Sequence, residues 1–402
     1  MRFSQFNVLV PDSDYYVLYN ILNRALARIP QSAYTLANKD LKKSGFIIED
    51  EEDESLIYLN FYLKSLYEND KPTITITTTQ KCNLNCYYCF EGTNKSNESL
   101  SIETCDAIVK LIKSKYSKGV KLVWFGGEPM LNTKPIEYIS DKLTSYSIPF
   151  DATMITNGTI FPKSFLEKIS QYHISSIQIT LDGDKETHNS KRFFRSGVGS
   201  FDQILNNVGL ILELSKSDVI IKVNLDHNNI SSFQSIENLL LKRFPDNQRL
   251  KIVHNYIRNR TNFDDNGNCM TDTENFDFFY DPKDSINILS NFVGPCPLRK
   301  NDHLVISANG DIQKCLEQVG DSSQAIGNVN SGTISIKKSS FYKLFSLPFT
   351  REDCAKCNVL PLCGGGCPMD IIKSGKPICD ALKYRIQQVV KDYYAICSLK
   401  QK

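Results

Sequence analysis

Hydrophobic and polar positions along the middle of the chain repeat with two periods. Residues 73–79 alternate threonine with isoleucine, which is the period of a β-strand. Further strand-like segments follow, separated by segments in which apolar residues recur every three to four positions, as in amphipathic helices. The predicted strands are 73–79, 120–125, 150–156, 176–181, 219–225 and 250–257, and the predicted helices are 102–116, 136–143, 163–172, 201–214 and 232–244.

This alternation predicts an α/β fold in which helical crossovers connect the strands of one parallel sheet. Six strands of about six residues each fit an open, partial (β/α)6 barrel of the TIM-like type better than a closed eight-stranded barrel. Functional residues of such barrels follow the carboxyl ends of the strands. We therefore expect the site at that edge of the sheet.

The pattern changes on both sides of the predicted barrel. Two strand signals, 6–10 and 15–19, flank a turn composition and predict a small N-terminal α+β module. A polar stretch after the last barrel strand predicts a linker, and the cysteine-, glycine- and proline-rich region beyond it, which closes with a helix, is typical of folds held by metal. The predicted boundaries are 1–70, 71–260, 261–290 and 291–402.

Composition limits the classes of partner. The chain has 402 residues, 41% hydrophobic residues and a formal net charge of +2, which argues against nucleic acid or an anionic membrane as partner. The beginning does not resemble a secretory signal and no apolar run is long enough to span a bilayer, so we expect a cytoplasmic protein. Thirteen cysteines, most of them closely grouped, then favour metal ligation over disulfides.

Three cysteines directly after the first barrel strand form the first group. Cys82, Cys86 and Cys89 have the spacing C-x3-C-x2-C. Three thiolates on one loop suit three irons of a [4Fe–4S] cluster and leave the fourth iron open. The alternative is zinc, which usually takes four ligands in paired C-x2-C spacing and fits this group poorly.

Polar motifs follow the next barrel strands. Gly126-Gly127-Glu128 follows the second strand, and the glycines would let the backbone approach a ligand whose ammonium group the carboxylate would bind. Asn157-Gly158 follows the third strand, and Asp182-Gly183 the fourth. Each motif alone is also compatible with a plain turn. Their succession on consecutive strands is harder to explain without a common site.

Together, the cysteine loop and these motifs resemble the radical S-adenosylmethionine (SAM) superfamily. The resemblance implies that the open iron chelates the amino and carboxylate groups of SAM. It implies no role for Tyr87 and no identified catalytic acid or base, although Glu317 and Asp321 lie in the relevant region. The residues that it implies for SAM binding are Tyr88, Gly126, Gly127, Glu128, Asn157, Thr180, Asp182, Arg192 and Asn224.

The second group of cysteines is similar to the SPASM domain of many radical SAM enzymes. That resemblance implies two auxiliary [4Fe–4S] clusters, and therefore three clusters in all. Zinc knuckles are the alternative. A fourth ligand of the nearer cluster is either Cys269 or absent, leaving an open iron. The implied ligands are Cys296, Cys315 and Cys367 for the nearer cluster, and Cys354, Cys357, Cys363 and Cys379 for the distal one.

The resemblance also implies the chemistry. The first cluster would pass one electron, from a flavodoxin or ferredoxin type of reductant, to SAM, and the resulting 5′-deoxyadenosyl radical would abstract hydrogen from a substrate carbon. The leading hypothesis is a crosslink-forming maturase of a ribosomally made precursor peptide. Its alternatives are an anaerobic sulfatase maturase, disfavoured by Leu316 where those enzymes carry an aspartate, and an inactive binding protein of the same fold.

Overall fold

The computed structural model describes residues 1–67, 71–89, 91–92, 96–257, 271–344 and 347–399. The chain divides into two compact units, each built from separate stretches. We call Asp70–Met270 with Asn301–Ser340 the barrel unit, and Met1–Asn69 with Thr271–Lys300 and Phe341–Lys402 the terminal unit. The two units are defined by compactness and do not test the four domains predicted from the sequence. Those domains stay a prediction.

The opening segment contains a three-stranded antiparallel sheet in the order β2-β3-β4. The predicted hairpin is confirmed, with Val8 opposite Tyr19. Its third strand was not predicted, because it is short and most of its residues are only partly buried. The elements are β1 (Arg2–Phe3), β2 (Asn7–Asp12), β3 (Tyr15–Asn20), β4 (Leu26–Pro30), α1 (Lys39–Lys43), β5 (Ile47–Ile48) and α2 (Ser55–Tyr67).

The predicted barrel strands are all present, and neighbours in sequence are parallel neighbours in the sheet. One helix, α6, was not predicted. The strands are β6 (Thr73–Thr79), β7 (Val120–Gly126), β8 (Phe150–Thr156), β9 (Ile174–Thr180), β10 (Asp218–Leu225) and β11 (Leu250–Tyr256), and the helices are α3 (Ile102–Lys115), α4 (Lys134–Ser145), α5 (Lys163–Lys168), α6 (Lys185–Lys191), α7 (Phe201–Leu214) and α8 (Phe233–Arg243).

Strand register explains the alternating pattern of the sequence. One face of the sheet carries a row of aligned, fully buried apolar side chains: Ile76, Trp124, Met154, Ile177 and Val219. The aligned positions on the other face are mostly polar, since a strand turns successive side chains to opposite faces: Thr75, Val123, Thr153, Ser176 and Asp218.

The sheet continues beyond the predicted barrel. β12 pairs in parallel with β6, and β13 to β15 add antiparallel strands, so that the sheet has ten strands among the described residues. Residues 271–290, expected to be a linker, contain two helices. The remaining elements are α9 (Asp272–Phe279), α10 (Asp284–Ser290), β12 (His303–Ile306), β13 (Asp311–Gln313), β14 (Gly327–Asn328), β15 (Thr333–Ile334), α11 (Ile336–Leu344), α12 (Glu352–Ala355), α13 (Leu360–Cys363), α14 (Pro368–Ser374) and α15 (Leu382–Leu399).

The core of the terminal unit joins both ends of the chain. Phe6, Val8 and Val17 from the opening sheet lie in one buried cluster with Val389 and Val390 of α15. The opening segment therefore shares its hydrophobic core with the last helix. Among the residues that the structure describes, no helix combines the length and the apolar character that crossing a membrane requires.

Candidate functional site

The first cysteine group lies on a loop that is bonded to the neighbouring strand end. Cys82, Cys86 and Cys89 are partly buried on this loop, which follows β6. The amide of Gly127 donates to the carbonyl of Thr79 at 2.9 Å, and further amide bonds continue the connection along the loop. The sheet therefore fixes the base of the cysteine loop through its own backbone.

The two glycines of the Gly-Gly-Glu motif make this close approach possible. A Cβ at Gly126, which has φ +146°, would lie 2.2 Å from the carbonyl oxygen of Thr79, and one at Gly127 would lie 2.5 Å from that of Lys81. Those distances are shorter than any carbon–oxygen contact without a bond. In the described structure the glycines thus serve the packing of two backbones, whereas the sequence suggested approach to a ligand.

Glu128 is fully buried, and its carboxylate links two strand ends. Oε1 accepts from the Thr156 hydroxyl at 2.7 Å and from the Met130 amide at 3.0 Å, and Oε2 accepts from the Asn157 amide at 2.7 Å. Burial raises the pKa of this carboxyl, and the three donors oppose that shift. Its contact with the SAM ammonium group stays a prediction.

Asn157 lies beside the first cysteine. Its side-chain amide donates to Asn83 Oδ1 at 2.8 Å and lies 3.9 Å from Cys82 Sγ. Asn83 in turn donates to the Thr159 hydroxyl at 2.8 Å. The end of β8 is therefore connected to the cysteine loop by side chains, in addition to the backbone bonds from β7.

Four of the residues expected to bind SAM meet in one network. The Tyr88 hydroxyl donates to Asp182 Oδ2 and accepts from Arg192 Nη1 at 2.7 Å and Asn224 Nδ2 at 3.3 Å. The Asn224 amide donates to Asp182 Oδ1 at 2.9 Å. Burial raises the pKa of Tyr88 and of Asp182. Thr180, the last residue of β9, lies opposite Lys222 of the neighbouring strand β10.

His188 holds this network in place as a neutral ring. The Ser200 hydroxyl donates to the carbonyl of Arg192 at 2.7 Å, so His188 Nε2 is the donor in its 3.0 Å bond to Ser200 Oγ. Nδ1 is then free to accept from the Asp182 amide, at 3.1 Å. Burial, together with the nearby Arg192 charge, lowers the pKa of His188 to about 3.

The sequence analysis missed a second network next to the loop, in which the 42% exposed Tyr87 reaches a buried ion pair. The Tyr87 hydroxyl donates to Asp226, whose carboxylate pairs with Lys191 at 2.7 Å. The presence of two adjacent tyrosines in the cysteine motif does not predict the contact of Tyr87 with Asp226, because Asp226 and Lys191 are distant in sequence from the cysteines.

Four cysteines of the terminal unit surround one cavity of about 130 Å³. The chain turns there through Gly364, Gly365 and Gly366, whose φ angles of +68°, +86° and +72° favour glycine. Within the described ranges, no three His, Cys, Asp or Glu side chains are placed to hold a single metal ion. A four-iron cluster spreads its thiolates over separate irons, so a lined cavity suits it better. The cysteines at this cavity are Cys354, Cys357, Cys363 and Cys379.

The ligands expected for the nearer auxiliary cluster are divided between the units. Cys296 and Cys367 belong to the terminal unit and Cys315 to the barrel unit. Cys269 lies outside the described residues. The assignment of these cysteines to one cluster stays a prediction.

The barrel geometry agrees with the comparison to protein families, in which residues 76–240 match the model of the Radical SAM superfamily. The chain contains a radical SAM domain. Its curated relatives include a probable GTP 3′,8-cyclase of Methanococcus maripaludis, 32% identical over 30% of this chain and 39% of that protein. They also include the radical SAM cyclopropyl synthase TigE of Paramaledivibacter caminithermalis, 24% identical over 56% of this chain and 50% of TigE.

The likeness to these relatives is partial, since the chain spans about half of their length or less. Solved structures match over more of it. Native anSMEcpe with bound AdoMet has a TM-score of 0.61 at 19% identity and covers 82% of this chain and 97% of that one. Streptococcus suis SuiB bound to precursor peptide SuiA has a TM-score of 0.57 at 14% identity and covers 94% and 98%. At these identities the likeness establishes the fold alone, a radical SAM partial barrel. The cysteine-rich region that follows is consistent with a SPASM domain.

Proposed function

We propose that this protein is a radical SAM enzyme that modifies a ribosomally made precursor peptide. The observation that carries the proposal is the convergence of the three-cysteine loop with Glu128, Asn157, Asp182 and Arg192 at the carboxyl edge of the parallel sheet. With its cluster and SAM bound, such a site supplies a one-electron cleavage of SAM that gives a 5′-deoxyadenosyl radical.

The residues at this edge fit SAM. Arg192 is buried, and its Nε has no hydrogen-bond partner in the described part of the chain. An unpaired buried donor of this kind calls for an acceptor, and the methionine carboxylate of SAM is a chemically suitable one. The Asp182 amide already donates to His188, and the Asp182 carboxylate accepts from the backbone amide of Asn224 in β10. The chain therefore offers SAM oriented groups whose arrangement is set before binding.

The terminal unit fits a further cluster. Thiolates are the usual ligands of iron–sulfur clusters, and the cavity that Cys354, Cys357, Cys363 and Cys379 line provides four. We assign the distal auxiliary cluster to them. The nearer cluster, with Cys296, Cys315 and Cys367, is carried over from the SPASM resemblance.

A peptide substrate is supported by the likeness to SuiB, which was solved with its precursor peptide and which covers 94% of this chain. The opening sheet offers a place for a leader peptide. β4 is an edge strand of that sheet, and an extended peptide can add to such an edge through main-chain hydrogen bonds. The leader would raise the local concentration of the core peptide near the site.

Anaerobic reconstitution tests the proposed function. With SAM, a one-electron reductant and the short peptides encoded next to the gene, we expect 5′-deoxyadenosine together with a mass change in one peptide. A formylglycine in a sulfatase peptide would instead support the sulfatase-maturase alternative. Absence of SAM cleavage by protein loaded with iron would support an inactive binding protein.

The edge of β4 allows a sharp test of leader binding. The Gln31 amide donates to Asp14 and the Asn20 amide to Ala25, so the ladder places the Arg28 amide on the side away from β3. Arg28→Pro removes this outward donor without removing a bond of the ladder. Arg28→Ala is the matched control, because it loses the same side chain but keeps the amide.

We expect Arg28→Pro to weaken binding of the precursor peptide about tenfold relative to Arg28→Ala, since one main-chain bond to the leader is lost. Cleavage of SAM without peptide should be equal in the two variants. Equal peptide affinities would argue against strand addition at this edge.

A further inference from the structure

We propose that Tyr87 is a positioning residue that holds the cysteine loop in the geometry that SAM binding requires. It does so through a buried anchor made of Asp226 and Lys191. The proposal rests on the proposed function, because the position of the loop matters only if its cysteines carry the SAM-binding cluster.

The anchor is a desolvated ion pair. Lys191 Nζ lies 2.7 Å from Asp226 Oδ1, and the two side chains are only 6% and 1% exposed. The Tyr87 hydroxyl donates to the other carboxylate oxygen, Oδ2. Separating the two charges would leave each of them buried without a partner, which is costly in free energy. The pair is therefore expected to keep its geometry.

Asp226 is also fixed by the backbone that follows β10. Its Oδ1 accepts from the amides of Asn228, at 2.9 Å, and Asn229, at 3.2 Å. The Asp226 amide donates to Asn229 Oδ1 at 2.7 Å. The carboxylate therefore has one orientation independently of Tyr87, and the tyrosine hydroxyl transmits that rigidity to the cysteine loop.

Two adjacent tyrosines tie the loop to two different strand ends. Tyr87 directly follows Cys86 and reaches the residue after β10, whereas Tyr88 directly precedes Cys89 and reaches Asp182 after β9. The two rings contact each other edge to face, with centroids 5.2 Å apart. The segment between the second and third cysteines is thus held at two points.

The two anchors differ in their relation to SAM. The Tyr88 anchor contains Arg192 and Asn224, which are themselves expected to contact SAM, so SAM competes for its donors. The Tyr87 anchor contains none of the residues expected to bind SAM. SAM therefore does not compete for its donors, and it can keep Cys86 and Cys89 in place while SAM enters and leaves.

The test is Tyr87→Phe in the full-length reconstituted protein, since this change removes only the hydroxyl. Tyr138→Phe is the matched control, because the Tyr138 hydroxyl also donates to a carboxylate, that of Asp106 at 2.6 Å, elsewhere in the barrel unit. Three measurements apply: the SAM dissociation constant, the EPR spectrum of the reduced protein with and without SAM, and hydrogen–deuterium exchange of residues 80–89.

We expect Tyr87→Phe to bind SAM about tenfold more weakly, as suits the loss of a hydrogen bond to a charged group. Exchange at residues 80–89 should be faster and the SAM-induced EPR change smaller, while iron content is unchanged. Tyr138→Phe should match the wild type. Adding Asp226→Asn to Tyr87→Phe should weaken SAM binding no further than Asp226→Asn alone.

Wild-type affinity, EPR spectrum and exchange in Tyr87→Phe would overturn the proposal. A wild-type protein that binds no cluster at Cys82, Cys86 and Cys89 would instead contradict the proposed function. The exchange measurement separates the two cases, because it reports the anchoring of the loop whether or not SAM binds.

Discussion

The two described cysteine sites are supported in different ways. The loop with Cys82, Cys86 and Cys89 follows a strand of a ten-stranded sheet, and backbone bonds and buried side chains connect it to the neighbouring strand ends. Of the cysteines around the cavity of the terminal unit, Cys354 and Cys363 lie on short helices and Cys357 and Cys379 on connecting loops. A sheet edge imposes geometry before a cofactor arrives, whereas small glycine-rich folds gain much of theirs from the metal.

The charged side chains near the two sites also differ, in their exposure to solvent. At the barrel site the pair of Lys191 and Asp226 is removed from solvent. At the cavity Lys383 is exposed, with its Nζ 3.6 Å from Cys379 Sγ. Exposed charges are screened by salt and buried pairs much less so. Stability of the barrel site should therefore be less sensitive to salt than the surroundings of the cavity.

The largest expected effect comes from removing each set of cysteines. Replacing Cys82, Cys86 and Cys89 with alanine should abolish SAM cleavage and leave about eight of about twelve irons, since three four-iron clusters are proposed. The barrel unit should still fold, because its sheet is held by its apolar core. Iron and sulfide analysis and the fluorescence of Trp124, the single tryptophan, measure these outcomes.

Replacing the four cysteines of the cavity should affect the terminal unit and leave the fold of the barrel unit intact. We expect the terminal unit to lose cooperative unfolding, because it loses the proposed cluster, while Trp124 in the barrel unit keeps its environment. Zinc bound in place of iron would contradict the assignment of the distal cluster. Equal losses of structure in the two cysteine variants would contradict the contrast between the sites.

A smaller effect is expected from Glu128, which belongs to the barrel site only. Glu128→Gln replaces one acceptor oxygen with a donor that faces other donors. The free energy of unfolding should fall by about 1.5 to 3 kcal/mol, the range for hydrogen bonds to charged groups. Urea denaturation followed by Trp124 fluorescence measures it. Glu137→Gln on α4 is the control and should change little, because the hydrogen bond that its carboxylate accepts from the Thr133 hydroxyl is long, at 3.3 Å, and only partly buried.

The sequence predicted most of the barrel because its strands alternate between a buried apolar face and a polar face. Thr73–Thr79 and Phe150–Thr156 have the predicted bounds, and along Phe150–Thr156 every second side chain is buried. The polar residues of the site could be named because they follow strand ends, where parallel strands converge. The convergence of Tyr88, Asp182 and Asn224 is one result of that topology.

Other features depend on contacts that no local pattern carries. β12 extends the parallel sheet at β6 although it is only four residues long, and two-residue strands such as β14 have no readable period. Lys191 looks like a surface lysine until α6 places it against Asp226. The sequence analysis expected the glycines of the Gly-Gly-Glu motif to lie next to a ligand. In the structure they lie against the backbone at the start of the cysteine loop.

The smallest effect expected is a pH dependence that belongs to the barrel site. His188 is neutral in the folded protein, with its pKa lowered to about 3 by burial and by Arg192, whereas in the unfolded chain it titrates near 6.5. The unfolded state therefore binds more protons as the pH falls below about 6.5, and the folded state loses stability. The stability that this residue contributes is fully present above the unfolded pKa and decreases progressively toward pH 3.

At pH 5 the folded protein loses about 2 kcal/mol of stability through His188 alone. This pH lies about 1.5 units below the pKa of the residue in the unfolded chain, so the unfolded chain binds a proton there that the folded ring does not bind. His188→Gln should lower stability at pH 7.5 and remove this part of the difference between pH 7.5 and pH 5. Urea denaturation of the metal-free protein at both values, followed by Trp124 fluorescence, measures the difference. His227→Gln, at an exposed position, should keep the full dependence. An unchanged pH dependence in His188→Gln would mean that the ring is not held neutral against Asp182, and the rigidity inferred for the barrel site would then need another source.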